Sequence, residues 1–283
     1  MKYVLYNPLS GNGNSKAVAE KFSDGREDTK LIDMTETDVG ALIAEASEAD
    51  DFYIFGGDGT LNRFVNMLRD KSLSGNVYYY PSGTGNDFCA DVEKENPKEP
   101  FLINDYIKDL PTVTVNGQDY KFINGVGFGI DGYCCEVGDA CKAKGIVPNY
   151  TSIAIKGLLF KFKPVKAKVS VDGVESEFKK VWIAPTMFGR HYGGGMIPTP
   201  AQDRSLDPRE VSLMVFHGSS KIKTLMIFPS IFKGEHVKKT KYVKVMKGKE
   251  ITVEFNRPTA LQIDGETVLG VTKYTTKSAA KAN

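Results

Sequence analysis

Residues Phe52 to Leu68 read Phe-Tyr-Ile-Phe-Gly-Gly-Asp-Gly-Thr-Leu-Asn-Arg-Phe-Val-Asn-Met-Leu. The first four form an aromatic and β-branched run of strand length. Beyond the glycines, apolar side chains return at Leu61, Phe64, Val65 and Leu68, the spacing of one helix face. A strand, a tight glycine turn and a helix are predicted. Gly56, Gly57 and Gly59 let the backbone bend sharply and approach a bulky ligand, while the helix start points N–H groups at an anion. Asp58 sits badly beside a phosphate unless a cation lies between them, and Mg²⁺ is held by one or two carboxylates together with phosphate oxygens and water. The pattern suggests a metal-nucleotide site. An ordinary glycine turn with Asp58 or Thr60 capping the helix fits the same spacing.

Two further loops follow predicted strands. Tyr3 to Tyr6 reads as a buried strand, Asn7 to Ser15 as a polar loop, and Lys16 to Phe22 as a helix with Val18 and Phe22 facing inward. The loop is not a Walker A sequence, which needs Gly-Lys-Ser/Thr, and its Gly11-x-Gly13 lacks the third glycine of a dinucleotide fingerprint. Leu31 to Thr35 is read as the second strand and Val39 to Ala49 as an alanine-rich helix. Thr35 then lies at a strand's C-terminal end, where open α/β sheets bind ligands. Asn76 to Tyr80 is another strand and runs into Pro81-Ser82-Gly83-Thr84-Gly85-Asn86-Asp87-Phe88.

Gly56 to Thr60, followed by Leu61-Asn62 and by Asn66 four residues on, resembles the signature of the diacylglycerol kinase and sphingosine kinase catalytic domain. Asn7-Pro8-x-Ser10-Gly11 is similar to that family's opening motif, and Gly83 to Asp87 matches its Gly-Thr-x-Asn-Asp. The resemblance implies a lipid kinase that uses ATP and Mg²⁺. It implies nucleotide contacts from Asn7, Pro8, Ser10, Gly11, Thr35, Gly56, Gly57, Asp58, Gly59, Thr60, Asn62, Thr84, Asn86 and Asp87, with Asp58 also on the catalytic metal. Phe122 to Asp131 looks like the family's Phe-x-Asn and Gly-x-Asp segment, which makes Asp131 a catalytic-core carboxylate; read locally, it suits a helix N-cap just as well. Asp264-Gly265-Glu266 is locally a hairpin turn and an ordinary strand residue, whereas the resemblance makes Glu266 the general base. Pro200 to Asp207 resembles a segment that usually holds a structural Mg²⁺ through Asp-Gly. Here no glycine follows Asp203 or Asp207, and Asp207 is the favoured ligand.

Composition narrows the remaining choices. The chain has 283 residues, 41% of them hydrophobic, enough for one large or two moderate cores. Its 37 basic and 35 acidic side chains nearly cancel, so no global field favours nucleic acid. Cys89, Cys134, Cys135 and Cys141 form no C-x-x-C pair, which suits free thiols in a reducing cytoplasm. No export signal or spanning segment is read, so any contact with lipid is expected to be peripheral, transient and at the inner membrane surface. A homodimer is left open.

Near Pro111 the texture changes to short alternating strands, with turns expected at Asn116-Gly117, Asp172-Gly173 and Lys247-Gly248. The expected architecture is a doubly wound α/β nucleotide domain over 1–112 and an antiparallel, sandwich-like β domain over 113–272. A tail over 273–283 is frayed or returns to the first domain, and the cleft between domains is the default ligand site. Ile153 to Phe162 and the lysines after it suit either an anionic membrane surface or a helix packed on the sheet. Leu225 to Phe232 is an acyl-cleft wall or a core helix. An NAD kinase-like enzyme and a non-catalytic nucleotide-binding regulator are the competing functional readings.

Overall fold

A computed structural model of the chain describes residues 1–68, 75–83, 86–206 and 209–279. The chain divides into two compact units, Met1–Leu110 and Pro111–Asn283.

The first unit alternates strand and helix: β1 (Lys2–Tyr6), α1 (Asn14–Ser23), β2 (Thr29–Asp33), α2 (Val39–Glu45), β3 (Asp51–Gly56), α3 (Asp58–Leu68), β4 (Asn76–Pro81), α4 (Asp87–Asp91), β5 (Phe101–Leu102) and α5 (Asn104–Ile107). The strands lie in the order β2-β1-β3-β4-β5, with β1 to β4 parallel and β5 antiparallel at the edge. Strand order reverses at β1, so the loops after β1 and β3 flank the switch point where such sheets take ligands. Both faces are covered. Phe22 of α1 packs its ring on Tyr53 and Phe55, at centroid distances of 4.9 and 5.2 Å. Strand alternation turns Phe52 and Ile54 to the opposite face, and Leu61, Phe64, Val65 and Leu68 of α3 are buried as their spacing predicts.

The helix expected to reach Ala49 stops at Glu45. Ala46 turns extended, and Ser47 donates both its N–H and its hydroxyl to Asp50 Oδ2, at 2.8 and 2.9 Å. That local side-chain turn outcompetes the helix despite its alanines.

The second unit contains β6 (Thr112–Val115), β7 (Gln118–Lys121), β8 (Gly125–Phe128), α6 (Ile130–Lys142), α7 (Tyr150–Lys156) running into a π-type turn (Gly157–Lys161), β9 (Val165–Val171), β10 (Val174–Val181), β11 (Thr186–Met187) and β12 (Val211–Phe216). After these come α8 (Lys221–Ile227) with a following 3₁₀ turn (Phe228–Lys233), β13 (Val243–Gly248), β14 (Glu250–Ile263) and β15 (Glu266–Lys277). Its strands run β13-β12-β11-β8-β14-β15-β6-β7, with β9 and β10 branching from β14. β14 is long enough to serve two neighbours: residues 251–255 pair with β9 and 261–263 with β8. Register shifts against β15 mark the break between, at Pro258, where a ladder donor is missing.

Asn116-Gly117 and Asp172-Gly173 form the expected turns, each with two consecutive positive φ values. Lys247-Gly248 does not. β13 pairs with β12 and β14 with β15, so the two strands are consecutive but unpaired. Gly248 stays in ladder register with Val211, and the Asp172 carboxylate instead receives the N–H groups of Lys249 and Glu250 at 2.9 and 2.8 Å. The expected tail needs correction as well. Residues 273–277 finish β15, pairing with β14 and β6, because Tyr274 and Thr276 bury one face of the strand.

Candidate functional site

In the first unit, three loops meet at the C-terminal edge of the sheet. After β1, Asn7 Oδ1 accepts the N–H of Leu9 and its carbonyl accepts that of Ser10, both at 3.0 Å, which curls the chain around Pro8. Ser10 Oγ then accepts the N–H of Gly57, at 3.1 Å, tying this loop to the turn after β3. Ser82 N donates to Gly56 O at 2.9 Å, and the Ser15 and Ser82 hydroxyls lie 2.8 Å apart, which ties in the loop after β4. Tyr79 supports the same turn from the core, donating its hydroxyl to Gly56 O at 3.1 Å.

The glycines are required by this closeness. Gly11 has φ +58, and a Cβ there would lie 2.1 Å from Ser82 O; one at Gly83 would lie 2.5 Å from the Gly57 Cα. Backbone touches backbone, leaving an edge of peptide groups and small hydroxyls suited to a phosphate chain. Thr60 and Asn62 are buried in the first turns of α3 behind Gly59, and Asn66 donates to Asn62 one turn later. Asn86 donates to Gly83 O at 3.3 Å.

Asp58 has a job that the motif does not announce. One carboxylate oxygen accepts the N–H of Asp87 at 2.8 Å and the other that of Phe88 at 3.2 Å, so Asp58 caps α4 from outside it. Thr35 donates its N–H and hydroxyl to Asp33 Oδ1, at 2.8 and 2.6 Å, at the exposed end of β2. Thr84 and Asp207 lie outside the described residues. Among the described residues, no group of three or more His, Cys, Asp or Glu converges as a metal cage. The peptide groups of this edge fit a nucleotide's phosphates, and Mg²⁺ needs only one or two carboxylates beside such phosphates, a part that Asp58 fits.

The second unit carries its own polar cluster. The turn between β14 and β15 is Asp264-Gly265, both at positive φ, and it sets Glu266 exposed at the first position of β15. Asp264 turns inward. Its carboxylate accepts the N–H groups of Ile123, Asn124 and Gly125, at 2.5, 2.8 and 2.9 Å. The segment before β8 and the turn bearing Glu266 are thereby one rigid piece.

Asp131 is not an N-cap. Gly129 holds that position without a side-chain bond, and Asp131, inside the first turn of α6, is buried. It accepts from the Tyr192 hydroxyl at 3.2 Å, and the Gln262 amide and the N–H groups of Asp131 and Gly132 also favour its charged form, though less than burial opposes it. Burial therefore lifts its pKa from 3.8 to about 6. Gln262 accepts the Gly265 N–H at 2.7 Å, so one amide spans from Asp131 to the turn before Glu266. Gly127 makes room for this, since a Cβ there would overlap Asp131 Oδ2 at 1.5 Å. The neighbouring Cys134 and Cys135 thiols are pushed by burial up to about 12, which keeps them protonated and out of nucleophilic chemistry.

Asp264, Gln262 and Tyr192 are site residues that local sequence reading passes over. Asp264 carried the signal of a turn residue only, and Gln262 sits at an ordinary buried strand position.

Comparison with known proteins agrees with both halves. Residues 2–110 match the diacylglycerol kinase catalytic domain, and residues 124–279 match the YegS C-terminal NAD kinase beta sandwich-like domain. A diacylglycerol kinase of Mycobacterium tuberculosis is 27% identical over 267 residues, covering 89% of this chain and 84% of its own. One from Bacillus subtilis is 25% identical over 280 residues, covering 93% and 88%. The crystal structure of a diacylglycerol kinase from Bacillus anthracis shares the fold, with a TM-score of 0.61, 18% identity and coverage of 98% of this chain and 94% of that one.

Proposed function

The chain belongs to the family of the YegS C-terminal NAD kinase beta sandwich-like domain, matched over residues 124–279, and carries the diacylglycerol kinase catalytic domain over residues 2–110; on that premise we propose that it transfers the γ-phosphoryl group of ATP to the free hydroxyl of diacylglycerol or a similar amphiphile. The observation that carries the nucleotide half is the locking of three glycine loops, through Ser10, Gly57, Ser15 and Ser82, at one end of the parallel sheet. A triphosphate laid there meets preorganised peptide groups that need no rearrangement, the largest contribution a protein makes to phosphoryl transfer. Asp58 would stand beside an Mg²⁺ carried by the triphosphate, and that ion would neutralise part of the phosphate charge.

In this reading Glu266 is the general base. The acceptor hydroxyl gives its proton to the Glu266 carboxylate as its oxygen bonds to the γ-phosphorus, and the bond from that phosphorus to the β-phosphate oxygen breaks to release ADP. Asp264 fixes the turn through its N–H contacts, and Gln262 connects it to Asp131, so both are positioning residues. Asp58 positions α4 and with it the loop before Asp87.

The test is incubation with γ-labelled ATP and, separately, diacylglycerol in mixed micelles or NAD. Label in the lipid supports the proposal. Label in NAD, or in inorganic phosphate alone, opposes it.

A further inference from the structure

Two stretches far apart in sequence lie side by side in the second unit. The π-type turn Gly157–Lys161 packs on α8, and Lys221 donates its ammonium to the carbonyl of Leu159 at 2.9 Å. Their inward faces share one core: Leu158 and Phe162 from the first, Ile227 and Ile231 from the second, together with Trp182 and Phe216. That burial satisfies an ordinary amphipathic helix, whose outward face is polar.

Here the outward face is apolar too. Phe160 is 74% exposed, Ile222 71% and Met226 70%, with Ile155 and Phe232 also exposed. Such a concentration of large side chains in water marks a surface that meets another apolar phase.

The two stretches themselves carry lysines and no carboxylate. Between Asp139 and Asp172 the chain has seven lysines and no carboxylate side chain, and between Glu210 and Glu235 it has Lys221, Lys223 and Lys233 and again no carboxylate. The whole chain is nearly neutral at +2, so this is local enrichment. A recess of about 160 Å³ beside the same turn is lined by Lys161, Lys163 and Arg257, with Glu136 as its one acidic group.

We propose that this face, Phe160, Ile222 and Met226 together with Lys161, Lys221, Lys223 and Lys233 of the same two stretches, docks the protein on an anionic lipid surface. Among the described residues no helix is long and apolar enough to cross a membrane, so the contact is interfacial. Exposed aromatic and aliphatic side chains enter the acyl boundary while the lysines lie at headgroup level, each favoured by the negative surface potential. A partner protein or a second copy fits less well, because either would have to supply a matching acidic rim, which the lipid headgroups supply by themselves. The inference deepens the lipid-kinase reading by saying where the substrate phase is met.

The test is flotation or sedimentation with vesicles of phosphatidylcholine alone and of equal parts phosphatidylcholine and phosphatidylglycerol, without nucleotide or diacylglycerol. The unmodified chain is expected to bind the anionic vesicles preferentially. Phe160→Ser with Met226→Ser, and separately Lys221→Glu with Lys223→Glu, are each expected to lower partitioning about tenfold or more. All four side chains are exposed, and unchanged circular dichroism and melting temperature verify the fold. Anionic-vesicle binding that both double variants retain in full overturns the proposal. So does a concentration-dependent dimer that the variants abolish while vesicle binding stays intact. Because no phosphoryl transfer is measured, vesicle binding in a protein that phosphorylates no lipid upholds the docking face and sinks only the kinase reading; phosphorylation of short-chain diacylglycerol below its micellar concentration by a chain that ignores vesicles does the reverse.

Discussion

Asp264 accepts the N–H of Asn124 at 2.8 Å although 140 positions separate them, and the same carboxylate also holds Ile123 and Gly125. The bond fastens the segment before β8 to the turn that presents Glu266. Two carboxylates two residues apart thus differ in setting: Asp264 is buried and structural, and Glu266 is exposed, where the proposed reading puts the general base.

That contrast predicts a split between stability and turnover. Asp264→Ala leaves three buried peptide donors without an acceptor and is expected to cost about 3 kcal/mol or more, read as a fall in the denaturation midpoint. Glu266→Gln removes no buried partner and is expected to change stability by less than about 0.5 kcal/mol. Reversal of that order, with Glu266→Gln the more destabilising, contradicts the assignment.

The loop edge makes its own prediction. Gly11→Ala forces a Cβ against Ser82 O at 2.1 Å in a backbone with φ +58, whereas Gly25, at φ +69, has open space around it. Gly25→Ala is expected to cost about 1 kcal/mol from conformation alone. Gly11→Ala is expected to cost more and to weaken ATP binding by about tenfold, as its loop is driven off Ser82. Equal nucleotide affinity for the two variants, measured by fluorescence titration, counts against the three-loop cradle.

Asp131 supplies a pH prediction. Its pKa in the folded chain is about 6, above the ordinary 3.8, so the folded state holds the proton more tightly than the unfolded one. The destabilisation from ionising it is absent below about pH 4, grows as pH rises to 6, and is complete above that, amounting to about 3 kcal/mol. Asp131→Asn is expected to remove this slope between pH 4 and 7 in chemical denaturation. A variant with the same slope as the parent would place the titrating group elsewhere.

Asp58 gives the fourth. Asp58→Asn keeps one acceptor for α4 and loses the other, so a stability loss of about 1–3 kcal/mol is expected. If its task is capping α4, the Mg²⁺ concentration for half-maximal phosphoryl transfer shifts by less than about threefold in the variant. A much larger shift would assign Asp58 to the metal instead.

The elements governed by local chemistry were legible in the sequence. The strand, turn and helix at Phe52 to Leu68 follow from β-branched content, glycine and helical spacing, and Asn116-Gly117 needs nothing beyond its own residues. What was not legible depends on distant partners. Asp264-Gly265 is the same turn whether or not its carboxylate finds Ile123, and Gly248 is extended because β12 claims the strand that a hairpin would have used. Asp58 reads as a metal ligand or as a cap of its own helix, and only the approach of α4 shows that it caps another. The apolar outward face at α8 was hidden for a similar reason: Leu225 to Phe232 reads as an acyl-cleft wall or a core helix until the fold shows Met226 and Phe232 in water.

The central claim is tested most directly by transfer of label from γ-labelled ATP to diacylglycerol in mixed micelles, comparing the parent chain with Glu266→Gln at saturating ATP. The parent is expected to form labelled phosphatidic acid, and the variant, with ATP affinity intact, to fall by about 100-fold or more. Labelled lipid at the parental rate from Glu266→Gln, or none from the parent itself, would contradict it.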